Sequence, residues 1–203
     1  MEQGETRRDA ILEAMIRVTG SKGYPATSVA DVLAEAGTSR TTFYKHFDNK
    51  RECFLAAYDL AFEKILGAAE TACAEGGSWP DRARRGLRVV VELLSSDRPL
   101  AQTAIVEVSA AGAEARRRHS AAIARLAELL DSGAPPRPEG EPELPPNTAL
   151  MTVGAVTGLI LDQLRQDRAS NLSLILPELE FALLVPYLGP RIAAGGFAEA
   201  AST

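Results

Sequence analysis

One spacing runs through nearly the whole sequence. Apolar residues return every third or fourth position, and no stretch alternates apolar and polar residues as a half-buried strand does. Ile11, Ala14, Met15 and Val18 trace a first stripe over about residues 5–20. Phe54, Leu55, Tyr58, Phe62, Ile65, Leu66 and Ala69 trace another after Asp48-Asn49. The chain is rich in alanine and only 5% aromatic, which favours helix over sheet. The expected fold class is therefore all-α.

The breaks divide that pattern. Gly20 and Gly23 end the first helix, and Pro25 stops it resuming. Gly76-Gly77-Ser78 separates the long fourth helix from one that carries Leu87, Val91 and Leu94. Arg98-Pro99 opens another helix, to about Ser109, and a further one covers about 113–131. Residues 133–146 hold six prolines' worth of interruption, from Pro135 to Pro146, and read as an exposed, mobile loop. Thr148 to Leu164 is apolar on nearly every face, as in a helix buried from several sides. The last helical stretch, about 171–192, contains Pro177 and Pro186, which predict a late start or kinks; 193–203 reads as a frayed tail.

Charge and composition exclude several functions. With 22 Lys+Arg against 27 Asp+Glu the net charge is −5, unsuited to a protein that coats nucleic acid without specificity but compatible with a local basic reading head. Cys53 and Cys73 lie on one helix roughly 30 Å apart and cannot bridge within it. Two histidines and two cysteines leave little for a zinc site, and no metal or cofactor is expected. There is no 18-residue apolar run and no basic-then-apolar leader, so the expected location is cytoplasmic. No nucleophile–base pair or phosphate-cradling glycine motif stands out, so the chain does not read as an enzyme. Arg116-Arg117-Arg118-His119 reads as a solvated helix face, with no visible partner for His119.

Residues 28–47 carry the functional signal. Ser28 and Asp31 have capping-box spacing, Gly37 closes that short helix, and Thr38 or Ser39 caps the next, which runs to about Phe47. Helix, glycine turn and helix within twenty residues have the dimensions of a DNA-binding helix-turn-helix. Val29, Val32, Leu33 and Ala36 face inward from the first helix, Phe43 and Phe47 from the second. That leaves Arg40, Thr41, Thr42, Tyr44, Lys45 and His46 outward, all donors and none acidic, a set suited to an anionic, hydrogen-bond-accepting partner.

The run from Ala36-Gly37-Thr38-Ser39-Arg40 to Phe47, followed by Asn49-Lys50 and preceded by Lys22-Gly23-Tyr24-Pro25-Ala26-Thr27-Ser28, resembles TetR-type (tetracycline-repressor-like) transcriptional regulators over roughly residues 7–58. Leu33 and Thr38 stand where many members have alanine and valine; neither change removes a donor. The resemblance implies an N-terminal three-helix DNA-binding domain over 1–48 and a helical bundle for ligand binding and dimerisation over 49–203. It places the Arg40–His46 helix in the major groove of operator DNA, with Arg40 and Thr41 nearest the base edges. Ser28, Thr38, Ser39, Thr42, Tyr44, Lys45 and His46 then join the DNA-contacting set, and Lys50 occupies a position that members use to grip phosphate. It also implies a homodimer joined through its last two long helices and a ligand-responsive repressor; a regulator with no small-molecule effector is the alternative.

Some assignments stay open at the level of sequence. Phe62, Leu66, Gln102, Thr103, Glu107, Thr152 and Thr157 are candidates for an effector pocket. Glu107 has a second reading, an ion pair with Arg84 or Arg88, because an ionised carboxylate among apolar residues needs a partner. Gly154 and Gly158, with Leu161, Leu179 and Leu183, are candidates for a dimer seam, though close packing within the chain also explains the glycines.

Overall fold

The computed structural model describes residues 2–136 and 140–193, with side chains from Thr6 onward except that of Ser170. All regular structure among them is helical, as expected. The helices are α1 (Glu2–Lys22), α2 (Val29–Ala36), α3 (Arg40–Tyr44), α4 (Lys50–Ala74), α5 (Trp79–Ser96), α6 (Arg98–Ala101), α7 (Ala113–Asp131), α8 (Thr148–Arg165) and α9 (Leu176–Ala193). Gln102–Val106 is a π-helical turn and Glu107–Ala111 a 3-10 turn, where sequence spacing predicts one α-helix. Two compact units result: Met1–Lys64 with Asp97–His119, and Ile65–Ser96 with Ser120–Thr203.

In the first unit the α1 stripe of Ile11, Ala14, Met15 and Val18 is buried. Gly20 does not end α1, which runs on to Lys22 and stops at Gly23, held at φ +83°. Gly20 serves instead for close approach, since a Cβ there would collide with the backbone of Pro99 in α6. α2 begins in the expected capping box. Ser28 Oγ accepts the Asp31 N–H, and the Asp31 carboxylate accepts the Ser28 N–H at 2.7 Å. It ends at Gly37, whose φ of +59° suits a residue without Cβ. Ser39 caps α3 by accepting the Thr42 N–H at 3.1 Å. α3 ends at Tyr44, short of the expected Phe47, because the chain tightens there. The Lys45 and His46 N–H groups bond three residues back, and this swings the Phe47 ring inward to 5.6 Å from that of Phe43.

In the second unit Leu87, Leu94, Ile160, Leu164, Leu172, Leu179 and Leu184 form the core. The Trp79 indole donates to the Leu130 carbonyl at 2.9 Å, and its ring lies 4.7 Å from that of Tyr187. Glu180, largely buried, meets Arg88 at 3.2 Å and Arg84 at 3.8 Å. α9 starts at Leu176 with Pro177 in its first turn, where a missing N–H costs nothing. It passes through Pro186 and breaks at Gly189 (φ 74°) before Pro190.

α8 departs from the expectation of burial on nearly all sides. Ala149, Thr152, Val153, Val156, Ile160 and Leu164 are buried, whereas Leu150, Met151 and Leu159 are exposed. Residues 133–136 and 140–146 are largely exposed and have no regular structure beyond turns. Residues 194–203, nearly all of the stretch read as a tail, lie outside the described residues.

Candidate nucleic-acid interface

The presentation of α3 follows from what anchors it. Phe43 and Phe47 are buried, as are Val32 and Leu33 of α2. The opposite side of α3 therefore faces outward. Arg40, Thr41 and Lys45 are exposed, Tyr44 is 50% exposed, and Thr42 and His46 are half-buried. The Arg8 guanidinium sits 5.5 Å over the Phe47 ring and adds a cation from α1.

Several expected contact residues also maintain this geometry. Ser39 Oγ lies 3.0 Å from Thr42 Oγ1 as well as capping α3. Ser28 Oγ donates to Asp31 Oδ2 at 2.6 Å, and Lys22 Nζ lies 2.6 Å from the same oxygen. With Lys22, then the Ser28 hydroxyl and backbone, bonded to it, the Asp31 carboxyl is held well below the usual carboxylate range. Thr38 lies half-buried in the turn.

Tyr24, in the α1–α2 loop, is a junction that sequence spacing does not reveal. Its N–H donates to Glu107 Oε2 at 2.7 Å. Lys50 Nζ donates to its carbonyl at 2.9 Å and to that of Thr27 at 2.8 Å. The same ammonium sits 4.3 Å over the Tyr24 ring, which lies 4.6 Å from Phe54. Burial raises the Tyr24 phenol above its ordinary value, partly offset by the charge of Arg51. Glu107 thus takes a backbone partner. The arginines expected for it, Arg84 and Arg88, pair with Glu180.

The pocket candidates divide between the units. Phe62, Gln102, Thr103 and Glu107 belong to the first, Leu66, Thr152 and Thr157 to the second. Phe62 and Leu66 are buried. Thr103 is fully buried and donates to the Ile16 carbonyl at 3.2 Å; Thr152 donates to the Thr148 carbonyl at 2.8 Å. Gln102 opens the π-helical turn, and Thr157 is half-buried on α8. Of the seam candidates, Gly154 and Gly158 are exposed, with nothing within 4 Å of an added Cβ, and Leu161 is half-buried. Leu179 and Leu183 are already covered inside the second unit, so a second copy of the chain would bury little more of them.

The arginine run divides too. Arg116 and Arg117 are exposed, Arg117 pairing with Glu114, while Arg118 pairs with Asp59 and Glu114 and His119 Nδ1 lies 3.2 Å from the Tyr58 hydroxyl. A lone i, i+3 stripe on α4 carries no signal for that polar pair. Among the described residues no group of three or more His, Cys, Asp or Glu is placed to hold a metal ion. No described helix is long and apolar enough to cross a membrane.

Residues 11–57 match the family described as bacterial regulatory proteins, tetR family. The HTH-type transcriptional regulator EthR of Mycolicibacterium smegmatis is 32% identical over 87 residues, 42% of this chain and 40% of that protein. The chain thus spans two fifths or less of the curated relatives first matched. Over the whole fold it resembles the fatty acid degradation regulator FadR from Bacillus halodurans, with TM-score 0.74 and 18% identity, covering 91% of this chain and 96% of that one. It also resembles the transcriptional regulator FadR from Bacillus subtilis, solved in complex with stearoyl-CoA, with TM-score 0.70 and 18% identity over 89% of this chain and 97% of that one.

Proposed function

The chain belongs to the tetR family of bacterial regulatory proteins through its residues 11–57, and from that premise we propose that it is a homodimeric transcriptional repressor released from a palindromic operator by a small molecule. The observation that carries the reading is the surface of α3. A five-residue helix locked by Phe43, Phe47 and a serine cap presents donors outward and no acid. Arg40 and Thr41 read base edges, with arginine suited to guanine O6 and N7. Tyr44, Lys45 and His46, with Ser28, Thr38, Ser39 and Thr42, hold the backbone and set register. DNA binding belongs to residues 1–48, effector binding and dimerisation to 49–203. The protein works in the cytoplasm, where its operator lies.

One reading helix makes too small an interface for specificity at physiological salt, so two copies must act together. The open apolar face of α8 supports a two-fold seam there. Leu150, Met151 and Leu159 are exposed around Gly154 and Gly158, whose missing side chains let another helix approach closely.

An acyl thioester is the effector class to test first, because a protein of this fold was solved with stearoyl-CoA. A regulator without an effector is the second reading. It is favoured by the internal engagement of Thr103, Thr152 and Glu107, the polar groups that would otherwise anchor a ligand.

Selection of bound duplexes from a random pool tests the proposal. An enriched palindrome is expected, with half-sites about one helical turn apart or a multiple of it. In Arg40→Ala the preference at one base pair per half-site should relax by about 1–3 kcal/mol. No enrichment even at low salt would remove the DNA-binding reading. Titrating the bound duplex with stearoyl-CoA and shorter acyl-CoAs separates the two forms of regulation, since an effector must lower DNA affinity by its own coupling free energy.

A further inference from the structure

We propose that Arg51, not Lys50, carries the backbone-phosphate contact at the start of α4, and that Lys50 is a positioning residue locking the α1–α2 loop beneath the helix-turn-helix. The inference rests on the DNA-binding reading and reassigns one of its contacts. It concerns the phosphodiester groups of duplex DNA and not its bases.

The Lys50 ammonium has three donors, and two are committed to the carbonyls of Tyr24 and Thr27. Its remaining surface lies over the Tyr24 ring. These bonds run from the first residue of α4 to both ends of the segment that leads into the α2 capping box. Turning toward a phosphate would break them and leave the Thr27 carbonyl without its donor in a partly buried loop, while the Tyr24 carbonyl would keep only the Thr27 N–H at 3.2 Å. The group is thus held by the protein itself, and its charge is partly compensated before DNA arrives.

Arg51 is the next residue of the same helix and is exposed. Among the described residues its guanidinium makes no ion pair or hydrogen bond. As the second residue of α4 it stands at the same helix start as Lys50. A guanidinium offers a planar fork of donors that matches two phosphate oxygens. The nearest acid along the chain, Glu52, is turned back onto the Asp48 N–H at 2.6 Å and helps to fix the helix start.

The salt dependence of binding separates the two cations. Each neutralised phosphate contributes about −0.9 to the slope of log K against log salt. With Lys45 and Arg51 on phosphates in both subunits the wild-type slope should be roughly −3.6, and without one pair roughly −1.8. Between 50 and 200 mM salt that is roughly a 150-fold loss of affinity against roughly a 12-fold loss.

The experiment compares wild type, Arg51→Gln, Arg51→Lys and Lys50→Gln on a duplex enriched by the wild type from a random pool. The expected result is a shallower slope in Arg51→Gln, its recovery in Arg51→Lys, and an unchanged slope in Lys50→Gln together with a lower melting temperature. A slope that flattens in Lys50→Gln, alone or alongside Arg51→Gln, overturns the proposal. If Lys50→Gln does not fold, Arg51→Gln decides alone, and an unchanged slope there overturns it. Failure of the wild type to bind any duplex would instead remove the DNA-binding reading itself.

Discussion

His119 shows how burial acts on a single titratable group. It ends the arginine run on α7, yet its Nδ1 meets the Tyr58 hydroxyl at 3.2 Å and its ring stands edge-on to Tyr58 at 6.2 Å. Desolvation lowers its pKa below the ordinary value of 6.5. Burial, followed by the nearby Asp59 charge, raises that of Tyr58, so the phenol stays protonated as a donor. The fold therefore favours neutral imidazole, while the unfolded chain takes up a proton near pH 6.5. Stability is full above that pH and declines as pH falls from there toward the lower folded value. Melting temperature should therefore drop between pH 7.5 and 5.5; burial raises the neighbouring Asp59 carboxyl above its ordinary range, which acts in the opposite sense, while Arg117 and Arg118 hold Glu114 below its own. In His119→Gln, whose amide oxygen can still accept from Tyr58, the drop should be smaller. Equal drops in both proteins would show that the imidazole is not responsible.

The 98–111 segment makes the corresponding point for an element. A 3.6-residue period applied from Leu100 to Ser109 puts Glu107 on a face shared with apolar residues. The π-helical turn at Gln102–Val106 adds a residue to the spiral, with the Glu107 N–H bonding back to the Gln102 carbonyl. Residues beyond it are rotated out of that phase, and the carboxylate reaches Tyr24 and the flank of Gly23. Thr103 in the same turn holds the Ile16 carbonyl, and Gly20 admits Pro99, so the segment is keyed to α1 at two places and to the loop after it at a third. Removing the acceptor in Glu107→Ala leaves a partly buried N–H unpaired. It should cost about 1–3 kcal/mol of stability in urea unfolding. Operator affinity should fall with it, since the Tyr24 loop leads directly into α2, and Glu107→Gln should recover part of both losses. Unchanged stability in Glu107→Ala would mean that water replaces the carboxylate at no cost.

The consequence for the whole molecule is an unfilled requirement on α8. Met151 is 58% exposed and Leu159 44%, on a helix whose other side is packed in the core. A surface of that kind is stable in water when a partner covers it. The double substitution Met151→Glu, Leu159→Glu should therefore part the proposed dimer into monomers in sedimentation analysis, with helical content retained. Affinity for a palindromic duplex should fall with it, because each half-site would then be bound separately. A double variant that remains dimeric would place the seam elsewhere.

What the sequence alone determined is what depends on near neighbours along the chain. The all-helical class follows from spacing, the α2 capping box from Ser28 and Asp31, and the outward donors of α3 from the inward Phe43 and Phe47. Each is settled within about one or two helical turns, so the order of residues suffices. Only tertiary structure decided where Glu107, Lys50, His119, Thr103 and Leu179 direct their side chains. Their partners lie far away in the chain, as with Glu107 and Tyr24, 83 residues apart. A buried or half-buried polar group must find a partner, but composition and period do not say which one, and a single-residue change of helical pitch is enough to redirect it.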